Sequence, residues 1–309
     1  MTLSEPEAAA ADGTGRAAPQ PQVPLVAYVY LAIIVLTWAS NWPLMKLALG
    51  QIPPLKFVLL RLVGSVVLIV PPLVAARQSL LPYRGERLIL FWVGELQVAG
   101  FLICSIIGLA IVPAGRAIVL AYTMPLWAIP IGIFIWPERH GRAQLIGAAV
   151  CFAGLVLFMN PGLVDWGNPR ILAGNGLLLL ASILWAFGSC LYRRRQFQSP
   201  FWVQTFWQLA VSVPPVAAIV ALWVHGPVEW SPGLVAIVLY NCLVTTALGY
   251  FFWGKVLSMM PAAMAGQVLT LTPICGFVLS LMIFGGTLSG DVLASIALIA
   301  AGIFVMLRR

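Results

Sequence analysis

From residue 24 to residue 307 the sequence is a succession of ten apolar runs, each parted from the next by a few polar, glycine or proline residues. A helix needs about 20 apolar residues to cross the hydrocarbon of a bilayer, and the runs have that length: 24–49, 54–76, 88–110, 114–136, 143–160, 172–192, 202–224, 233–256, 262–284 and 290–307. Membrane strands would instead show about ten residues of strict alternation, a pattern the sequence lacks. Composition agrees: 61% of residues are hydrophobic and only 8% charged, against about 25% charged in a soluble domain. The expected fold is an all-α integral membrane protein of ten transmembrane helices. Residues 1–22, rich in Ala, Pro, Gly and Gln and without an apolar core, read as a disordered cytoplasmic tail and not as a signal peptide.

The few charges exclude whole classes of chemistry. Glu5, Glu7 and Asp12 fall in the tail, and Glu86, Glu138, Asp165, Glu229 and Asp291 at or near loops, which leaves Glu95 as the one acid well inside a span. His140 and His225 fall at span ends, and the five cysteines are scattered without paired spacing. A metal or acid–base site needs several such groups converging, so neither an enzyme nor a metal or cofactor is expected. The net charge of +8 reports orientation, not nucleic-acid binding. With a cytoplasmic N-terminus, twelve of the 17 Lys and Arg lie on the cytoplasmic side; Lys46, Lys56, Arg116 and Arg170 lie on the other, and Arg61 within a span. Both termini are therefore expected in the cytoplasm, with the chain multi-pass in the inner membrane.

The runs also repeat. "PAGRAIVLAYTMP" (113–125) and "PAAMAGQVLTLTP" (261–273) place paired prolines at an offset of 148 residues, which also matches Gly154 with Gly302; an offset of 147 matches Trp38 with Trp185, Gln51 with Gln198 and Pro53 with Pro200. This implies two five-helix repeats, 23–160 and 172–309, joined by a linker at 161–171. An odd number of crossings inserts the second copy upside down, the inverted repeat that many secondary transporters use for alternating access. Pro125 and Pro273 are expected to kink spans four and nine near mid-membrane, where a freed carbonyl is tolerated if it faces protein or a wet cavity.

"TWASNWPLMKLAL" (37–49), Arg61 in "FVLLRLVGS" and "RAIVLAYTMPLWAIPIGIFIWPERHGRAQLIGAAVCFAGLVLF" (116–158) resemble the EamA-type branch of the drug/metabolite transporter superfamily. The resemblance implies a ten-helix exporter of small metabolites, with amino-acid exporters, aromatic ones among them, in the same group. The chain departs from the family pattern at Gly285-Gly286-Thr287, where an acid matching Glu138 is missing.

Candidate substrate contacts are the polar and aromatic groups at mid-span. Trp38 and Trp185 lie far from the interfacial belts that most membrane tryptophans occupy. Asn41 and Trp42 share the face of Trp38, and Ser189 that of Trp185. Gln97, Tyr122, Asn241, Thr245, Gln267 and Thr270 complete the set. Helix packing is the competing role for each. A neutral, aromatic, hydrogen-bonding cavity suits a zwitterion, which favours amino acids and, weakly, aromatic ones. Arg61, Lys46 and Glu95 are candidates for a carboxylate contact or for ion coupling; snorkelling or capping of carbonyls is the alternative for the two cations, and helix packing for Glu95. A channel would carry a filter or charged rings, which are absent. A multidrug or lipid-precursor exporter on the same fold stays open. The expected partners are a small-molecule substrate and the lipid bilayer, with no nucleic acid, and nothing in the sequence calls for more than a monomer.

Overall fold

A computed structural model describes residues 23–124, 126–127, 130–131, 135, 142–159, 167–259, 269, 271–285 and 289–307. The first half contains α1 (Leu25–Ala48), α2 (Pro54–Ala75), α3 (Arg87–Val93), α4 (Phe101–Ile111), α5 (Ala114–Ala121) and α6 (Arg142–Met159). The second contains α7 (Pro169–Arg193), α8 (Phe201–Trp223), α9 (Pro232–Leu239), α10 (Gly249–Met259), α11 (Leu271–Phe284) and α12 (Gly290–Leu307). No strand occurs among the described residues. The expected tail, the linker core at 161–166, Pro125, Gln267 and Thr270 lie outside them.

Six helices are long and apolar enough to cross a membrane: Leu25–Ala48, Pro54–Ala75, Arg84–Ile111, Pro169–Tyr192, Phe201–Trp223 and Pro232–Trp253. This is fewer than the ten expected. The other candidate spans are present as shorter apolar stretches, among them Leu145–Gly154, Leu271–Phe284 and Gly290–Gly302, with 136–141, 260–268 and 286–288 outside the described residues. Many large apolar side chains face outward, Leu36, Val67, Leu88, Phe152, Leu222, Met282 and Phe304 among them. An aqueous surface rarely exposes so much contiguous hydrocarbon, whereas lipid accepts it. The chain is a multi-pass membrane protein.

Helix starts follow from proline and small polar caps. Pro54, Pro169 and Pro232 each sit in a first turn, where the missing N–H has no intrahelical acceptor to lose. Asn168 Oδ1 accepts from Arg170 N and Ile171 N at 3.1 and 3.3 Å, and Ser231 Oγ from Leu234 N at 3.0 Å. α3 and α4 are one rod joined by a wide π-helical turn, Gly94–Gly100, and α9 and α10 are joined likewise by Tyr240–Leu248. The two wide turns occupy matching places in the two halves, an arrangement with no signature in the residue pattern.

Packing is reciprocal between the halves. α2 lies on α8 and α6 on α12, each element against its counterpart. α4 packs on α7 while α10 packs on α1; α2 packs on the turn 240–248 while α8 packs on the turn 94–100. Ser65 and Ser212, 147 residues apart, do the same work twice: Ser65 Oγ reaches Cys242 O at 3.0 Å, and Ser212 Oγ reaches Gly94 O at 2.9 Å. The matched glycines let α6 and α12 touch. A Cβ on Gly302 would stand 2.5 Å from Cys151 N, and one on Gly154 would stand 2.9 Å from Ile299 N. Cys151 Sγ itself donates to the carbonyl of its counterpart Ile299 at 3.4 Å.

Loops tie the halves at both ends of α2. At one end Glu229 N donates to Gln51 O at 2.8 Å, Ser231 Oγ bonds Gln51 Oε1, and Lys56 Nζ donates to Gly226 O at 2.6 Å. At the other the Glu86 carboxylate accepts from Gln198 N and Ser199 N at 2.6 and 3.2 Å, and Tyr83 N donates to Ser199 Oγ at 3.0 Å.

Candidate functional site

A cavity of about 470 Å³ lies between the halves. Its wall includes the pair Trp38 and Trp185, whose rings meet edge to face at 6.4 Å. Trp38 is fixed by its indole N–H, which donates to Thr245 O at 2.9 Å in the second wide turn. The ring fits there because residue 249 is glycine: a Cβ would stand 2.7 Å from Trp38 Nε1. Tyr250 lies 6.2 Å from both tryptophans, Trp253 lies 6.3 Å from Trp38, and Phe101 packs on Trp185 at 4.8 Å. Trp42 and Tyr122 meet edge to face at 6.3 Å on another part of the wall. The result is an aromatic box, whose rings offer faces to apolar groups and to cations alike.

The polar groups of the box are few. Gln97, on the first wide turn, donates from Nε2 to Ser189 Oγ at 3.1 Å. Its backbone can approach α7 so closely because residue 188 is glycine, where a Cβ would stand 3.1 Å from Gln97 N. Thr123 Oγ1 bonds Ser182 Oγ at 3.0 Å. Asn41 and Arg61, both buried, line the wall beside Met45. The lining also reaches exposed Arg195 at the end of α7, so the cavity extends to that end of the bundle.

Of the expected contacts, the structure brings Trp38, Asn41, Trp42, Gln97, Tyr122, Trp185, Ser189 and Thr245 to the one cavity, with Pro273 and Arg61. Pro273 stands in the first turn of α11. Asn241 is not on the wall; it is fully buried and donates to Ile237 O of its own helix at 3.0 Å. Lys46 is also elsewhere, its ammonium capping the end of α4 through Leu109 O and Val112 O at 2.6 and 2.9 Å. Glu95 sits half-buried on the first wide turn, off the cavity wall.

Sequence reasoning missed Met45, Phe101, Tyr250, Trp253 and Gln208, all on the wall. The repeat held the signal. At an offset of 148, Gln97 matches Thr245, Leu102 matches Tyr250 and Ser105 matches Trp253, and all six line the cavity; at 147, Arg61 matches Gln208. Among the described residues no group of three or more His, Cys, Asp or Glu is placed to hold a metal ion.

Comparison with known proteins adds a lineage to this geometry. The model of the EamA-like transporter family matches twice, over residues 25–160 and 172–308. The chain is similar to a "Probable amino-acid metabolite efflux pump" of Salmonella typhimurium, 26% identical over 287 residues, covering 88% of this chain and 92% of that one. A protein of the same description from Escherichia coli is 24% identical over 290 residues, covering 90% and 93%. A solved structure described only as "Crystal structure of protein" superposes with a TM-score of 0.68 at 19% identity, covering 91% of this chain and 96% of that one, and supports the fold.

Proposed function

Because the chain belongs to the EamA-like transporter family, we propose that it is a secondary transporter that exports small metabolites across the cytoplasmic membrane by alternating access. Its substrates are amino acids, aromatic ones favoured. The observation that carries this reading is the aromatic box lined by Trp38 and Trp185, matched residues of the two repeats that touch each other. A residue in contact with its own counterpart lies beside the axis that exchanges the halves, and Cys151 with Ile299 marks a second point on it. A solute bound there meets both halves at once, which is the requirement for exposing one site to the two faces in turn. The relatives described as amino-acid metabolite efflux pumps support the substrate class.

The architecture that goes with this function is two inverted five-helix repeats, 23–160 and 172–309, with ten crossings and both termini in the cytoplasm. On that orientation the end of the cavity at Arg195 faces the cytoplasm, the side from which an exporter loads. Trp38, Asn41, Trp42, Gln97, Tyr122, Trp185, Ser189, Thr245, Gln267 and Thr270 contact solute, while Asn241 and Lys46 hold helices. Glu95 lies off the wall, which favours exchange or facilitated transport over proton coupling through its carboxyl. The test is uptake by proteoliposomes containing the full chain, screened over the common amino acids and amphipathic drugs with and without an imposed pH gradient. Saturable uptake of amino acids, phenylalanine and tryptophan foremost, is expected. Uptake of drugs alone overturns the substrate class.

A further inference from the structure

One charge in the cavity wall has no counter-ion among the described residues. Arg61 is 8% exposed, carried on α2 in the middle of a span. Its Nε donates to Thr246 Oγ1 at 2.7 Å and its Nη1 reaches Met45 Sδ at 3.6 Å. A guanidinium carries five N–H donors, so most of this one's donors meet no protein acceptor among the described residues. Nor does a carboxylate face it there: the titratable side chains around it are Tyr250, Cys242 and Tyr122. Glu86 is held by the backbone of Gln198 and Ser199, and Glu95 stands off the wall. A buried cation without a counter-ion is costly, and within a membrane such a group marks a ligand path by default.

The complementary group stands next to it. Asn41, on α1 and 5% exposed, directs Nδ2 to the same Met45 sulfur at 3.6 Å, which leaves its Oδ1 with no donor. Arg61 and Asn41 are thus tethered to one atom and lie at most about twice that distance apart. The pair offers unmet donors carrying positive charge beside an unmet acceptor, and a single carbon separates the carboxylate and ammonium of an α-amino acid. We propose that Arg61 and Asn41, set in register by Met45, are the subsite that clamps the two charged ends of a zwitterionic substrate, Arg61 taking the carboxylate and Asn41 Oδ1 the ammonium. The side chain of the substrate then lies in the aromatic box. In the second repeat the residue matching Arg61 is the neutral Gln208, so this clamp occurs once and selects a substrate with one carboxylate.

The inference rests on the amino-acid reading and is tested so that the two can fail separately. Proteoliposomes with the full chain take up labelled L-phenylalanine in competition with L-phenylalaninamide, which lacks the carboxylate, and N-acetyl-L-phenylalanine, which lacks the ammonium. Each analogue is expected to compete at least about tenfold more weakly than phenylalanine, the loss that follows from leaving a buried charged or polar partner unpaired. Arg61→Gln is expected to lower phenylalanine uptake about tenfold or more while leaving competition by the amide unchanged, with Arg61→Lys intermediate; Asn41→Leu is expected to erase the preference over the acetylated analogue. The competition series uses the wild-type chain, so a variant that fails to fold does not decide the matter. If phenylalanine is transported but either analogue competes equally well, the clamp is wrong and the exporter reading stands. If no amino acid is transported, both fall.

Discussion

Trp38 is held between two demands, a hydrogen bond to Thr245 O and room beside Gly249. Gly249→Ala would place a methyl 2.7 Å from the indole nitrogen and push the ring off its acceptor. Transport by this variant is expected to drop severalfold at near-normal membrane yield, as for Trp38→Ala; unchanged uptake by both would remove Trp38 from the site. Lys46 sits outside the cavity, and its loss should act on stability instead. Lys46→Met strips the cap from Leu109 O and Val112 O, a loss of about 1–3 kcal/mol, measured as a lower melting temperature in detergent. These residues show how far a sequence can be read. A polar or aromatic side chain at mid-span needs a reason, and on that ground Trp38, Asn41, Gln97 and Trp185, which line the one cavity, stand out in the sequence. The same ground also selects Asn241, because an amide that bonds its own helix at Ile237 O and an amide that faces a cavity give the same signal. Met45 gave none: it reads as one more apolar residue, and its part lies in the direction of one sulfur atom.

At the scale of elements, the wide turns 94–100 and 240–248 separate what sequence pattern conveys from what it omits. The third and eighth runs are continuous apolar stretches, and nothing in their periodicity distinguishes an i→i+5 turn from an α-helical one. Each such turn leaves carbonyls out of regular bonding. Ser65 and Ser212 meet them from the opposite half at Cys242 O and Gly94 O. Ser65→Ala and Ser212→Ala are each expected to cost about 1 kcal/mol and to act additively, as read by melting the single and double variants. The matched glycines of α6 and α12, by contrast, were visible as a repeat, though not their purpose. Gly302→Ala puts a methyl 2.5 Å from Cys151 N, and overpacking of that kind costs about 1–3 kcal/mol. Gly176, whose Cβ would meet nothing within 4 Å, is the control expected to tolerate alanine.

At the scale of the molecule, topology is the first quantity to measure. Single cysteines placed at Arg194 and at Gln51 are expected to react with an impermeant thiol reagent from opposite sides of the membrane, Arg194 from the cytoplasm; labelling of both from one side would break the inverted arrangement. The two ties between the halves bear on how such a body moves. One binds Gln51 to the 226–231 loop and the other binds Glu86 to Gln198 and Ser199, at the two ends of α2, and both are closed in the same conformation. A frame braced at top and bottom resists parting along the seam between its halves. If both ties hold through the proposed cycle, the movement passes through each repeat rather than between them. A bond locking Gln51→Cys to Ser231→Cys should accordingly leave the transport cycle running.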